Sequence, residues 1–208
     1  MMASLRWVGL GLLVLLLGAL SGCTTVQPTL EWKDPGYAGG AIKSFLVVGV
    51  SEDQAARRSF EDHFVEQLQA KGATAQPSYA KLPAGSEPTK ETIDRYLAQG
   101  GNAEAIVITH LVGTDEKTVY NPPTWMPAPG PPFRTYGGYY GYVNSYVYQP
   151  GYYSTHAYVK LETNLFRVKD GQLLWTMQSQ SVDPASAEKL IDALVGLAVK
   201  KLQENGFL

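Results

Sequence analysis

Apolar and polar positions along the chain fall into blocks that predict strands and helices in turn. Residues 44–50, Ser-Phe-Leu-Val-Val-Gly-Val, are a short β-branched apolar run, the pattern of a buried strand. A helix start follows. Ser51 stands as its cap with Gln54 at the capping-box spacing, and Glu52 and Asp53 fall in the first turn, where the helix dipole favours anions. Ala56, Phe60, Phe64 and Leu68 recur every four residues with Val65 beside them, and Lys71 and Gly72 close the stripe. The spacing also sets Arg57 against Glu61, and Arg58 against Asp62, as i,i+4 pairs expected on the wet face. Residues 73–76 predict a weak second strand, 89–99 a second helix around Ile93, Tyr96 and Leu97, and 105–112 a central strand. Strand, helix, strand, helix, strand implies right-handed parallel crossovers.

Beyond residue 157 the period changes. Residues 158–168 and 173–182 predict two strands around Lys169-Asp170-Gly171, a three-residue hairpin loop with glycine in the left-handed position. That register gathers Val159, Leu161, Leu165, Trp175 and Met177 on one face, and Lys160, Glu162, Asn164, Thr176, Gln178 and Gln180 on the other. A two-residue Asp-Gly loop shifts the register by one and mixes the faces, so the first is preferred. Residues 184–204 predict a terminal helix burying Leu190, Ile191, Leu194, Leu197, Ala198 and Leu202. The expected fold is α/β, with an α+β-like mixed sheet: β-α-β-α-β, then a β-hairpin and a C-terminal helix. The helices lie mainly on one face of a roughly five-stranded sheet.

Two segments do not fit a packed domain. Residues 7–20 are an uncharged apolar run of fourteen, with Arg6 before it. A helix needs about 20 residues to cross a hydrocarbon core, so the run predicts the apolar region of an export signal. It ends in Leu20-Ser21-Gly22-Cys23, which resembles the bacterial lipobox: a branched apolar residue, two small ones, then cysteine. The thiol accepts a diacylglycerol and the small residues admit the peptide bond to the signal peptidase. Cys23 is the one cysteine in the chain, and this position accounts for it. The resemblance implies cleavage between Gly22 and Cys23, acyl chains (palmitate among them) on Cys23, and a membrane partner through that anchor. Thr24 and Thr25 stand where an inner-membrane retention signal would carry Asp, which implies the outer membrane, facing the periplasm, in a Gram-negative cell. Residues 23–43, with two prolines and three glycines, read as the lipidated N-terminus and a flexible tether, and 44–208 as a single α/β domain.

The second segment is an insertion at about 120–154. From Asn121 to Ala157 the one fully ionised residue is Arg134. Eight of the thirteen tyrosines fall within eighteen residues. A connection this long inside a domain is usually functional or disordered, and tyrosine offers rigid, amphipathic contact area. Trp125, Arg134, Tyr136, Tyr139, Tyr140, Tyr142, Tyr146, Tyr148, Tyr152 and Tyr153 are the candidate binding surface, for another envelope protein or for peptidoglycan. The competing expectations are a solvated low-complexity loop, a loop that folds back over the sheet and hides its own rings, or a small hairpin over 140–148 turning at Asn144-Ser145.

Charge and chemistry narrow the remaining classes. The formal net charge is −2; removing residues 1–22, with their one charge at Arg6, leaves 16 cations against 19 anions, a net −3. No basic excess is present to neutralise phosphates, so nucleic acid is not an expected partner. Ser51 follows a strand and opens a helix, yet Gly49-Val50-Ser51-Glu52-Asp53 lacks the second glycine of a nucleophile elbow. His63, His110 and His156 have no metal-ligand spacing. A site assembled from His110 and His156 would need a carboxylate within hydrogen-bond reach. Glu52/Asp53 and Glu61/Asp62 are adjacent on a helix and do not face each other across a cleft, as glycoside hydrolysis requires. The expectation is a non-enzymatic protein with no cofactor and no metal, with an envelope hydrolase as the lesser alternative.

The segments Val47-Val48-Gly49-Val50-Ser51, Arg57-Arg58-Ser59-Phe60-Glu61-Asp62 and Lys71-Gly72-Ala73 are similar to a group of small bacterial envelope lipoproteins, as are Asn164-Leu165-Phe166, Leu174-Trp175 and the terminal helix. The likeness runs from about 44 to 208 and is weakest in the tyrosine segment. That group has no assigned activity, so it implies no catalytic residues. The element order also resembles α/β domains of envelope-assembly lipoproteins that activate cell-wall synthases or build secretion pores, a likeness of topology alone.

Overall fold

The computed structural model describes residues 25–83, 86–127, 135–143 and 146–208. Its strands are β1 (Val26–Lys33), β2 (Ser44–Val50), β3 (Thr74–Pro77), β4 (Ala105–Asn121), β5 (Thr124–Pro127), β6 (Tyr146–Gln149), β7 (Tyr152–Arg167) and β8 (Leu173–Val182). Its α-helices are α1 (Gln54–Ala70), α2 (Lys90–Ala98), α3 (Tyr136–Val143) and α4 (Ala187–Glu204). Six strands form one mixed sheet in the order β1-β8-β7-β4-β2-β3, and β5 and β6 form a second. The chain divides into two compact units, one taking in residues up to Gly113 and from Val159 to Leu208, the other Thr114–Tyr158.

In the first unit β2 is the central parallel strand, paired with β3 on one side and β4 on the other. Its apolar run is buried on both faces, as the unbroken pattern required. Phe45 and Val47 join the larger core with Phe60, Phe64 and Leu68 of α1 and Leu194, Val195, Ala198, Val199 and Leu202 of α4. Leu46 and Val48 turn to a smaller core with Ile93, Tyr96 and Leu97 of α2. Two helices thus share one face and the third takes the other. Chain order gives the reason. The step from β2 to β3 moves outward and the step from β3 to β4 moves back past β2, and crossovers of one hand stepping in opposite directions place their helices on opposite faces.

The hairpin of β7 and β8 sorts its faces as the alternation predicted. Leu161, Leu165, Trp175 and Met177 belong to the larger core, while Glu162, Asn164 and Gln178 hydrogen-bond one another. The Arg167 amide donates to the Gln172 carbonyl and the Gly171 amide to Arg167 (2.9 and 2.8 Å), so Arg167 faces two residues. Gly171 takes φ 70° at this bulge, a conformation that favours glycine.

Three readings are corrected. Residues 23–43 are not a continuous tether. Val26–Lys33 is an edge strand antiparallel to β8, running from Val26↔Ser181 to Lys33↔Trp175. Pro28 argued against a strand, but an edge strand tolerates proline, and the register shifts between Pro28 and Leu30. The cap of α1 is Asp53, whose carboxylate accepts from Ala55 and Ala56 N–H (2.8 and 3.1 Å); Ser51 and Glu52 lie outside the helix. Arg57 and Glu61 are not on the wet face: their side chains are 2% and 0% exposed. Glu61 Oε1 accepts from Arg57 Nε (3.0 Å), Ser78 Oγ (2.7 Å) and Gly49 N–H (3.0 Å), and Oε2 accepts from Tyr79 N–H (2.9 Å). Arg57 Nη2 donates to Ser78 Oγ (2.9 Å). The pair ties α1 to the ends of β2 and β3, with its polar atoms satisfied as burial demands.

Candidate functional site

The second unit is built from the insertion itself. β5 and β6 pair antiparallel with Trp125 opposite Tyr148, and the two rings lie 5.0 Å apart, tilted by 54°. Within the same unit the Tyr120 and Tyr153 rings lie 4.9 Å apart, tilted by 44°. Thr118 and Thr155 hydroxyls share a hydrogen bond of 3.0 Å, and Asn121 Nδ2 donates to Ser154 Oγ at 3.0 Å. Gly151 admits the Tyr120 ring: a Cβ there would stand 2.5 Å from the Tyr120 hydroxyl. The expected hairpin over 140–148 is not formed. Tyr136–Val143 is helix α3, and the partner of Tyr146–Gln149 is Thr124–Pro127. Three glycines, each unfavourable in a helix by about 1 kcal/mol, hide α3 from a propensity reading. Thr135 caps it by accepting the Gly138 N–H at 3.1 Å.

Among the described residues, six of the candidate rings face solvent. Trp125, Tyr139, Tyr140, Tyr148, Tyr152 and Tyr153 are between 50% and 73% exposed. Tyr139 and Tyr140 meet edge to face at 6.0 Å. The reading of a loop that hides its own rings therefore does not hold for these six. Arg134, Gly22 and Cys23 lie outside the described residues, as do the side chains of Tyr136, Tyr142 and Tyr146.

The first unit carries a second exposed surface that the sequence reading missed. On β1, Trp32 pairs with Thr176 and Leu30 with Gln178. Paired residues share a face, so both turn away from Trp175 and α4, and they are 43% and 50% exposed. The same face carries Glu162. Hydrogen bonds from Asn164 (2.8 Å) and Gln178 (3.1 Å) hold its carboxyl below the usual value, and the His110 imidazole adds to the effect. Trp32 was hidden because its segment read as a tether.

The titratable candidates are dispersed. His63 on α1 stands 3.5 Å from Asp192 on α4. His110 belongs to the first unit and His156 to the second, where its Nε2 is 3.2 Å from Ser154 Oγ. Ser51 Oγ accepts the Asp53 N–H at 3.2 Å, a turn contact. Among the described residues no group of three His, Cys, Asp or Glu is placed to hold a metal ion, and no helix is long and apolar enough to cross a membrane.

No protein-family model matches the chain, and no curated protein sequence does. Among solved structures the chain is similar to the PelC dodecamer from Paraburkholderia phytofirmans, at 15% identity over 88% of this chain and 97% of that one, with a TM-score of 0.44. It is also similar to the lipoprotein GNA1162 from Neisseria meningitidis, at 13% identity over 78% of this chain and 99% of that one, with a TM-score of 0.40. Overlaps this loose leave function to be argued from the chain itself.

Proposed function

We propose that the chain is a lipid-anchored, non-enzymatic protein of the cell envelope that binds another envelope component through the aromatic surface of its Thr114–Tyr158 unit. One observation carries the reading. The first unit buries large aromatic rings such as Phe45, Phe64, Trp175 and Phe207, whereas seven described rings of the second, Tyr120 among them, stay at least half exposed in or beside a nearly uncharged stretch. Exposed apolar surface of this density marks a contact site in a folded protein. The lipobox-like Leu20-Ser21-Gly22-Cys23 supports the anchor, and with it an outer-membrane location in a Gram-negative cell. The absence of a nucleophile elbow from the sequence supports a binding role over hydrolysis.

The component is read as a neighbouring envelope protein, with a peptidoglycan strand as the other class that tyrosine faces would serve. Alanine replacements at Tyr139, Tyr140 and Tyr148 test the surface. Crosslinking in intact cells is expected to lose its adducts in the triple variant, and a sacculus pull-down separates glycan from protein. A triple variant that keeps every protein and glycan contact contradicts the reading.

A further inference from the structure

We infer that the Thr114–Tyr158 unit also meets the headgroup layer of the bilayer that holds the acyl chains of Cys23. The inference rests on the reading of that unit as a contact surface and names what it touches.

β1 begins at Val26, three residues after Cys23. An extended chain spans at most about 3.6 Å per residue, so three residues reach no further than about 11 Å. Acyl chains on Cys23 would therefore hold a defined end of the first unit's sheet close to the bilayer. Val26 pairs with Ser181, next to the last residue of β8. The opposite end of β8 carries the turn into β7, and there the Val168 N–H donates to the carbonyl of Glu104, directly before β4. β4 thus starts beside that turn. Further along, Thr109 of β4 meets Thr163 of β7 at 2.9 Å, so residue numbers rise on one strand as they fall on the other. Gly113 and Val159, where the chain leaves and re-enters the first unit, consequently stand at the same end of the sheet as Val26. Three strand spacings separate β1 from β4, about 14 Å.

The composition of the second unit suits a bilayer contact. Its charged residues Asp115, Glu116 and Lys117 come directly after the crossing at Gly113, and from Asn121 to Ala157 the one full charge is the cation Arg134. Tryptophan and tyrosine favour the bilayer interface, where the ring meets acyl chains and the polar tip meets headgroups and water. The exposed rings are of these two types. Acyl anchoring and aromatic contact would act together at the membrane surface.

Fluorescence in brominated lipid tests this. The mature acylated protein is reconstituted into mixed phosphatidylethanolamine–phosphatidylglycerol vesicles, with and without bromine on the acyl chains. Bromine quenches tryptophan at contact. Trp175 is fully buried and Trp32 lies on β1, so the quenched part of the emission is expected to vanish in Trp125→Phe and to persist in Trp32→Phe. Tyr153→Trp, at the most exposed of these rings, is expected to add quenched emission. Emission that bromine leaves unchanged in the wild type and in Tyr153→Trp overturns the inference, and so does quenching that Trp125→Phe retains. If bromine has no effect while the alanine variant loses a crosslinked protein or glycan, the contact surface stands and the bilayer assignment falls. If both experiments are negative, both readings fall.

Discussion

Val26 pairs with Ser181, bringing residues 155 positions apart in sequence into one antiparallel ladder. The pairing makes the segment behind Cys23 part of the sheet. Glu31, further along the same strand, accepts from Trp175 Nε1 (3.1 Å) and Asn205 Nδ2 (2.7 Å) and pairs with Lys201.

Removing residues 24–33 is therefore expected to destabilise the first unit. Hydrogen bonds to a charged group contribute about 1.5–3 kcal/mol each, and partial exposure of Glu31 discounts them, so a loss of about 2 kcal/mol or more is expected in urea unfolding. A truncated chain as stable as the full one would return this segment to the status of a tether.

Glu61→Ala leaves Arg57 charged and without its buried partner. Breaking a buried ion pair from one side costs about 3–5 kcal/mol. The double replacement of Arg57 and Glu61 by apolar residues of similar volume is expected to recover much of that loss. Equal and additive losses in the two single variants and their combination would show that the pair is not coupled.

These two elements also show where the sequence was legible. β2, β4 as far as Val112, the β7–β8 hairpin from Tyr158 onward and α4 follow from short-range periodicity, whereas β4 runs on to Asn121 and β7 starts at Tyr152 through mostly exposed positions that carry no such pattern. β1 does not follow from it either, because its pattern contains Pro28 and its partner lies at the other end of the chain. The Arg57–Glu61 pair has the spacing of a solvent-exposed bridge. Its hidden signal is phase: Arg57, Phe60, Glu61, Phe64 and Leu68 form one buried stripe, so the charges sit among the apolar positions. In the aromatic segment, composition located the candidate surface, but glycine-rich α3 and the β5–β6 pairing depend on Thr135 and on ring contacts that no local pattern encodes.

Glu162 supplies a pH dependence. Asn164 and Gln178 hold its carboxyl below the ordinary 4.5. A carboxylate lowered on folding adds stability above its unfolded value, and that stability is lost as pH falls through the folded value. Wild type and Glu162→Gln are expected to differ most above pH 4.5 and to converge in more acidic solution, read by thermal unfolding across pH. A gap that widens with acid would reverse the sign and exclude the assignment.

Trp175 is the largest fully buried side chain of the core. Trp175→Ala is expected to lower stability by about 3–5 kcal/mol, while Trp125→Ala, in the second unit, is expected to leave the urea midpoint of the first unit unchanged. A shared loss would mean that Trp125 supports folding, which would weaken its role as a contact residue.

The most direct measurement is site-specific photocrosslinking in growing cells. A photoreactive side chain replaces Tyr139, Tyr148 or Tyr153 in turn, with Lys200 on the exposed side of α4 as the control position. The account predicts adducts, to lipid or to an envelope macromolecule, from the three aromatic positions and none from Lys200. Adducts from Lys200 alone, or from no position in a correctly acylated chain, would contradict it.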